Sequence, residues 1–99
     1  MLETVKDDNQ KMKLSDNHFL YKLNESLAWI LNVEIGKCYN LNESSYFVLS
    51  RFDGKKTLGE IRQRYVNKYS KIGLEEPILL KDFNELVERL INKEFIVNE

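Results

Sequence analysis

The chain has little of what catalytic and metal-binding proteins commonly use. It contains one cysteine, one histidine, one proline and four glycines in 99 residues. The single cysteine, Cys38, excludes an internal disulfide framework and a four-thiolate zinc site. The isolated glycines form no phosphate-cradling loop, and His18 has no adjacent nucleophile or carboxylate to make it a catalytic base. The sequence therefore predicts no catalytic residue, no metal ligand and no cofactor.

Long apolar runs are also missing. The longest run, Leu27–Leu31, is far shorter than the roughly 20 residues that a membrane-spanning helix needs. The first twenty residues lack the apolar core of a signal peptide. A length of 99 residues fits a single domain. We therefore expect one soluble, cytoplasmic domain that does not contact a membrane.

Charge is nearly balanced overall but unevenly distributed. The formal net charge is −1, yet residues 51–71 hold seven basic and two acidic side chains. This pattern fits either the solvated face of a helix or a docking patch for an acidic partner. The second interpretation makes the segment a candidate docking surface for such a partner, with these residues as its candidates: Arg51, Arg62, Arg64 and Lys68.

The first half of the chain predicts a short tail and then a sheet. Residues 1–14 are polar and have no period, which indicates a flexible tail and leaves residues 15–99 as the domain. From His18 the large apolar side chains recur at every second residue, and this period of two continues through residues 27–33 and Lys37–Leu41. Short turns separate the three segments, so we predict an antiparallel meander of three strands.

After the third strand the apolar period changes to about 3.6, which predicts helices. Asn42 is a candidate N-cap for the first helix, and residues 53–54 (Asp-Gly) would end it. Residues 57–60 (Thr-Leu-Gly-Glu) form a capping box for the second helix, and Pro77 suits the first turn of the third. The predicted fold class is α+β, a winged helix-turn-helix-like domain with a three-stranded antiparallel sheet followed by three helices.

Two features favour peptide binding by strand addition. The third strand, Lys37–Leu41, ends the meander and would offer unpaired backbone groups to an incoming segment. The third helix carries an apolar arc wider than a small core requires, and one flank of it could line a groove beside that strand. The residues of that flank are Leu80, Asn84, Val87 and Ile91. Alternatively, the whole arc belongs to the core, and the open edge could pair with a second copy to give a homodimer.

The predicted order of elements also allows a winged-helix DNA-binding regulator. In such a module the last helix would enter the major groove beside phosphates. Here the last helix carries as many acidic as basic exposed positions, and acidic residues flank it. This balance disfavours nucleic acid as a partner.

An ordered set of motifs resembles a known family. Residues Tyr39–Ile61 read YNLNESSYFVLSRFDGKKTLGEI, with a hairpin ending in Leu-Asn-Glu, an apolar helix, Asp-Gly and then Thr-x-x-Glu-Ile. This order is similar to that of PqqD-like domains, also called RiPP recognition elements, which serve ribosomally synthesised and post-translationally modified peptides. The resemblance extends over about Phe19 to Val97. One departure is Glu94, since the family usually has glycine at the end of the last helix.

The resemblance implies a non-catalytic chaperone that binds the leader of a precursor peptide and presents it to a separate modifying enzyme. The leader would pair as a strand with Lys37, Cys38, Tyr39, Asn40 and Leu41 and pack on Leu80, Asn84, Val87 or Ile91. The enzyme would be one such as a radical S-adenosylmethionine enzyme or a lasso-peptide protease or cyclase. No cofactor or metal is implied for this chain itself.

Overall fold

Alternating strands and capped helices make up the described part of the chain. The structure, a computed structural model, describes residues 8–24 and 26–98. In chain order the elements are β1 (Lys11–Leu14), β2 (His18–Asn24), β3 (Leu27–Asn32), β4 (Lys37–Leu41), α1 (Glu43–Leu49), β5 (Asp53–Thr57), α2 (Leu58–Ser70), α3 (Glu76–Asn92) and β6 (Ile96–Asn98). No helix in the described ranges is long and apolar enough to cross a membrane.

The middle sheet is an antiparallel meander with the order β2-β3-β4. Its turns depend on asparagine side chains: the Asn24 side-chain oxygen accepts from the Ser26 N–H at 2.8 Å, and that of Asn32 accepts from the Glu34 N–H at 2.9 Å. Gly36 completes the second turn with a φ of 74°, which a residue without Cβ adopts at little cost. The predicted three-stranded sheet is confirmed.

A second sheet corrects the prediction of a flexible tail over residues 1–14. Strand β1 lies within that segment and pairs with both β5 and β6, in the order β5-β1-β6. Met12 is only 4% exposed and belongs to the core. The four residues of β1, Lys-Met-Lys-Leu, are too few for their alternation of polar and apolar side chains to predict a strand. The rest of the tail, residues 1–7, lies outside the described residues.

Strand β5 occupies the place where the sequence predicts only a helix end. The Asp53 carboxylate accepts from the backbone N–H groups of Lys55 and Lys56, at 2.9 and 3.1 Å, and from the Lys56 ammonium at 2.9 Å. These bonds hold the pKa of Asp53 well below its usual range. With Gly54 at a φ of 80°, they turn the chain from α1 into a strand that reaches β1.

Side-chain caps start two of the helices as predicted. The Asn42 side-chain oxygen accepts from the Ser45 N–H at 2.8 Å. Thr57 and Glu60 form the complete capping box, with the Glu60 N–H donating to Thr57 Oγ1 at 3.2 Å and the Thr57 N–H donating to the Glu60 carboxylate at 2.8 Å. Pro77 lies in the first turn of α3, where its missing N–H leaves no helical bond unmade.

The core lies between the inner face of the middle sheet, the second sheet and the three helices. Ile30 at the centre of β3 is fully buried and packs with the apolar faces of the helices. The largest fully buried side chains are Phe83, Ile30, Leu49, Leu58, Ile61, Leu79, Ile96, Val48 and Val87. The two layers around one core are those expected of an α+β domain of this size.

The last helix ends in a left-handed turn. Glu94 has a φ of 61°, the one positive value among the non-glycine residues that the structure describes. The Phe95 N–H donates to the Leu90 carbonyl at 3.0 Å and the Glu94 N–H to the Ile91 carbonyl at 2.9 Å, which is the Schellman pattern. The turn reverses the chain so that Phe95, only 3% exposed, enters the core.

Candidate functional site

Strand β4 is an edge of the middle sheet, because β3 is its only neighbour among the described residues. The direction of its backbone groups follows from one bond at the far side of β3. The Val33 N–H donates to the Asn17 carbonyl at 2.9 Å, so the backbone of Val33 is directed toward β2. Since bonding alternates residue by residue in an antiparallel sheet, Ile30 and Asn32 are directed toward β4.

The register then decides which β4 groups are open. Ile30 lies opposite Tyr39 and Asn32 opposite Lys37, so the backbone groups of these β4 residues are directed toward β3. The alternate residues, Cys38 and Asn40, therefore direct their N–H and C=O groups toward the open edge. These four backbone groups can accept a further strand.

Beside this edge lies a groove between β4 and the C-terminal half of α3. The cavity has a volume of about 210 Å³ and is lined by Tyr39, Asn40, Leu41, Ser45, Leu86, Arg89, Leu90, Lys93 and Phe95. Its floor is apolar, since the side chains of Leu86, Leu90 and Phe95 are buried. At the rim, the Lys93 ammonium lies 5.6 Å from the centre of the Tyr39 ring. The groove can therefore hold an apolar side chain beneath a cationic rim.

None of the four α3 residues predicted from the sequence lines this groove. Val87 is fully buried, Leu80 packs against the core and Asn84 is exposed away from the groove, while Ile91 borders a different cavity. The groove is lined instead by the stripe Leu86, Arg89, Leu90 and Lys93. Spacings of three and four residues place these side chains on one helix face.

The missed residues had only a weak signal in the sequence. Leu86 and Leu90 belong to the same apolar arc as the flank that was selected, and both flanks satisfy the helical period. Arg89 and Lys93 read as ordinary solvated positions. Only the position of β4 beside one flank of α3, a tertiary feature, distinguishes the two flanks.

A second, wider cavity of about 600 Å³ adjoins the groove at Lys93. It lies between the β3–β4 turn and β6, with Ile35 and Val97 among its lining residues. His18 also borders it and is 6% exposed, with its Nδ1 atom making no hydrogen bond in the described residues. Burial lowers the pKa of His18, and the charge of Glu94 partly opposes that shift.

An aromatic chain connects this histidine to the groove. The rings of His18 and Phe95 are 5.3 Å apart between centroids, and those of Phe95 and Tyr39 are 5.4 Å apart. His18 thus fills the sheet and supports the groove floor from behind.

Two of the predicted docking residues, Arg51 and Lys68, lie close together, and a third, Arg62, forms an ion pair with another residue of this chain. The Arg51 guanidinium lies 4.2 Å and the Lys68 ammonium 5.2 Å from the centre of the Phe47 ring. Arg62 instead donates to the Asp8 carboxylate at 2.7 Å, which lowers the pKa of Asp8. Arg64 is exposed on α2. The cationic patch that remains is Arg51 and Lys68 around Phe47.

The described residues hold one free cysteine and no cluster of possible metal ligands. Cys38 is an exposed free thiol on β4. No group of three or more histidine, cysteine, aspartate or glutamate side chains in the part of the chain that the structure describes could hold a metal ion.

Comparisons with known proteins relate this geometry to one family. The family model of coenzyme PQQ synthesis protein D (PqqD) matches residues 28–96, which include β4, the groove and α3. A solved structure described as "TbiB1 in Complex with the TbiA(beta) Leader Peptide" has a similar fold, with a TM-score of 0.70 and 20% sequence identity over 85% of this chain and 93% of that chain. No curated protein matches the sequence.

Proposed function

Because the chain belongs to the family of coenzyme PQQ synthesis protein D (PqqD), we propose that it binds the leader of a ribosomally made precursor peptide and presents it to a separate modifying enzyme. The observation that carries the proposal is an open edge strand, β4, beside an apolar groove. TbiB1, a protein of similar fold, forms a complex with a leader peptide, which supports the same use of the fold here.

Backbone hydrogen bonds along β4 would supply the first part of the affinity. Cys38 and Asn40 each have an N–H and a C=O directed toward the open edge, so an added strand can form up to about four hydrogen bonds with them. Such bonds are independent of the peptide's sequence. They fix its backbone but do not select it.

Side-chain packing in the groove would supply the selection. Alternate residues of a bound strand point to the same face, so residues two positions apart would face α3. The buried floor of Leu86, Leu90 and Phe95 suits an apolar side chain. Arg89 and Lys93 at the rim favour a neighbouring acidic residue, since the opposite charge gains from their proximity. We therefore expect a leader motif that combines an apolar anchor with an acidic residue.

A second surface would contact the modifying enzyme. Arg51 and Lys68 are held over the Phe47 ring and make no ion pair within residues 8–24 and 26–98. They are available to an acidic surface, together with the exposed Arg64, whereas Arg62 is engaged by Asp8. The enzyme would be a radical S-adenosylmethionine enzyme or a lasso-peptide protease or cyclase.

The charges on α3 do not favour the winged-helix DNA-binding alternative. Its exposed surface mixes Asp82, Glu85 and Glu88 with Lys81 and Arg89, and phosphates require a basic surface.

A titration with a peptide tests the proposed site. The probe is a synthetic leader of the precursor encoded beside the gene, followed by the amide NMR signals of the full chain. We expect the largest shifts at Cys38 and Asn40. Asn40→Pro removes one outward N–H and places a ring in the path of the added strand, so it should weaken binding at least roughly tenfold.

Asn40→Ala is the matched control, because it removes the same exposed side chain and keeps the N–H. We expect it to bind the leader like the natural chain. If both variants bind alike while both remain folded, the leader does not pair with this edge. If no neighbouring leader shifts any β4 amide, the proposed function itself is wrong.

A further inference from the structure

A further cavity adjoins the groove one turn nearer the N-terminus of α3. It has a volume of about 190 Å³ and shares Leu86 and Arg89 with the groove. Its other lining residues are Ser44, Tyr65, Asp82 and Glu85. With two carboxylates and one guanidinium this lining has a net charge of −1, whereas the groove is bordered by the cations of Arg89 and Lys93. We call this cavity the acidic pocket.

The acidic pocket contains polar groups that have no partner among the described residues. The carboxylates of Asp82 and Glu85 are exposed and form neither an ion pair nor a hydrogen bond in that part of the chain. Tyr65 is only 6% exposed, yet its hydroxyl makes no hydrogen bond there either. A buried tyrosine hydroxyl usually has a partner. A ligand in the pocket would supply one.

The hydroxyl of Tyr65 lies among the charged groups of the pocket. The ring packs against that of Phe83, at 5.4 Å between centroids, which fixes its position. Burial raises the pKa of Tyr65, the charge of Asp82 raises it further, and the charge of Arg89 opposes the shift. Both charges therefore act at the position of the hydroxyl. A group that enters the pocket can contact this oxygen and a carboxylate together.

Two carboxylates and a hydroxyl suit a cationic hydrogen-bond donor. An ammonium or a guanidinium group donates to several oxygens at once, and such charge-assisted bonds are stronger than neutral ones. A metal ion suits the pocket less, since no group of three or more histidine, cysteine, aspartate or glutamate side chains in the described ranges could hold one. The chemistry therefore favours the side chain of a lysine or an arginine.

A strand added to β4 would pass this pocket. Tyr39 lies beside Lys93 near the end of α3, whereas Ser44, just beyond β4, borders the acidic pocket with Asp82. Strand β4 therefore runs along α3 toward the pocket. The α3 residues that line the pocket are those that line the groove displaced by four positions, which is about 6 Å along the helix axis. A strand advances about the same distance in two residues, whose side chains point to the same face.

We propose that the acidic pocket binds a lysine or arginine side chain of the leader, two residues from its apolar anchor and on the side away from Lys93. This inference rests on the proposed function and adds a charge order to it: an acidic residue beside Lys93, an apolar residue in the groove and a basic residue in the pocket. The order also fixes the register. A leader displaced along β4 would bring its acidic residue toward Asp82 or its basic residue toward Lys93, and like charges repel.

Neutral variants of the same shape test the proposal. The double variant Asp82→Asn and Glu85→Gln removes both charges, and the probe is the synthetic leader of the precursor encoded beside the gene. We expect its dissociation constant, measured by calorimetry with the full chain, to rise roughly three- to tenfold at low salt. The difference from the natural chain should shrink in about 0.5 M NaCl.

The matched control is the double variant Glu75→Gln and Glu76→Gln. It changes the net charge by the same amount, and both residues are exposed at the start of α3, outside the groove and the acidic pocket. It should bind the leader like the natural chain. Equal weakening in the two double variants would show long-range attraction and no site.

A substituted leader shows whether the contact is direct. When methionine replaces its basic residue, binding to the natural chain should weaken by the same factor, whereas the neutral variant should bind both leaders alike. The ring NMR signals of Tyr65 should shift on binding of the natural leader and much less with the substituted one. Independent losses that add up would exclude a contact between the basic residue and the pocket.

The outcomes separate this inference from the proposed function. A leader that shifts the Cys38 and Asn40 amides but binds the neutral variant as tightly as the natural chain would overturn the inference alone. A leader that binds this edge and has no basic residue near its apolar anchor would do the same. If no neighbouring leader shifts these amides, the proposed function is wrong and the inference falls with it.

Discussion

Replacing Glu94 by glycine should stabilise this protein, although Glu94 touches neither the core nor the groove floor. Glu94 ends α3 with a φ of 61°. A left-handed conformation costs an L-residue about 1–2 kcal/mol because Cβ approaches the following carbonyl oxygen. Glycine escapes this cost but loses about 0.5–1 kcal/mol more backbone entropy on folding. The difference leaves about 0.5–1 kcal/mol in favour of Glu94→Gly.

Glu94→Ala separates backbone strain from charge. Both variants remove a negative charge from the C-terminal end of α3, where the helix dipole disfavours it. Only the glycine variant removes Cβ, so the two should differ by the strain less the extra backbone entropy that glycine loses. We expect Glu94→Gly to unfold about 2–8 °C above Glu94→Ala, by circular dichroism, since 1 kcal/mol corresponds to about 4–8 °C in a domain of this size.

The histidine supplies an internal check on the charge. Because Glu94 raises the pKa of His18 against the effect of burial, both variants should lower that pKa, which an NMR titration of the imidazole measures. Equal melting temperatures for the glycine and alanine variants would refute the strain explanation. Since both variants lack the carboxylate, a fall in the pKa of His18 in one variant only would show that the other variant had also changed the surroundings of His18.

Two further predictions follow from the titrating and cationic groups. Burial lowers the pKa of His18, so near and below the unfolded pKa of about 6.5 the unfolded chain binds more protons than the folded chain. The free energy of unfolding should therefore fall as the pH drops through that value, before the carboxylates titrate. His18→Gln should flatten this dependence, measured by urea unfolding between about pH 7 and 5.5. A dependence unchanged in that variant would assign the effect to other groups. The double variant Arg51→Glu and Lys68→Glu should leave the leader-induced amide shifts unchanged but weaken binding of the modifying enzyme in a pull-down assay. Arg62→Glu should weaken that binding less, because Arg62 is already paired with Asp8. Equal losses of enzyme binding would show that the patch around Phe47 is not the docking surface.

Local signals in the sequence account for the middle sheet and the helix starts. The alternation from His18 onward, Gly36 in the second turn, and the caps at Asn42 and Thr57 each act within a few residues. The structure has them where the sequence predicts them. Such features are fixed by neighbours in the chain, so periodicity and side-chain chemistry are sufficient to find them.

Features that depend on distant contacts could not be found in this way. Strand β1 is stabilised by β5 and β6, and its four residues carry no recognisable period. The groove-lining stripe with Leu86 and Arg89 depends on which flank of α3 lies beside β4. The sequence placed Phe19 correctly in a strand. Its exposure depends on which side of the sheet the helices cover, and tertiary packing determines that side.

The position of β1 between β5 and β6 also affects how the chain matures on the ribosome. The meander β2-β3-β4 is contiguous and can assemble as soon as residue 41 has emerged. Strand β1 is made before it, yet its two neighbours end at residues 57 and 98. Met12 must therefore stay without its native surroundings until nearly the whole described chain has been synthesised. We therefore expect the pairings of the second sheet to form last, since they close the longest loops.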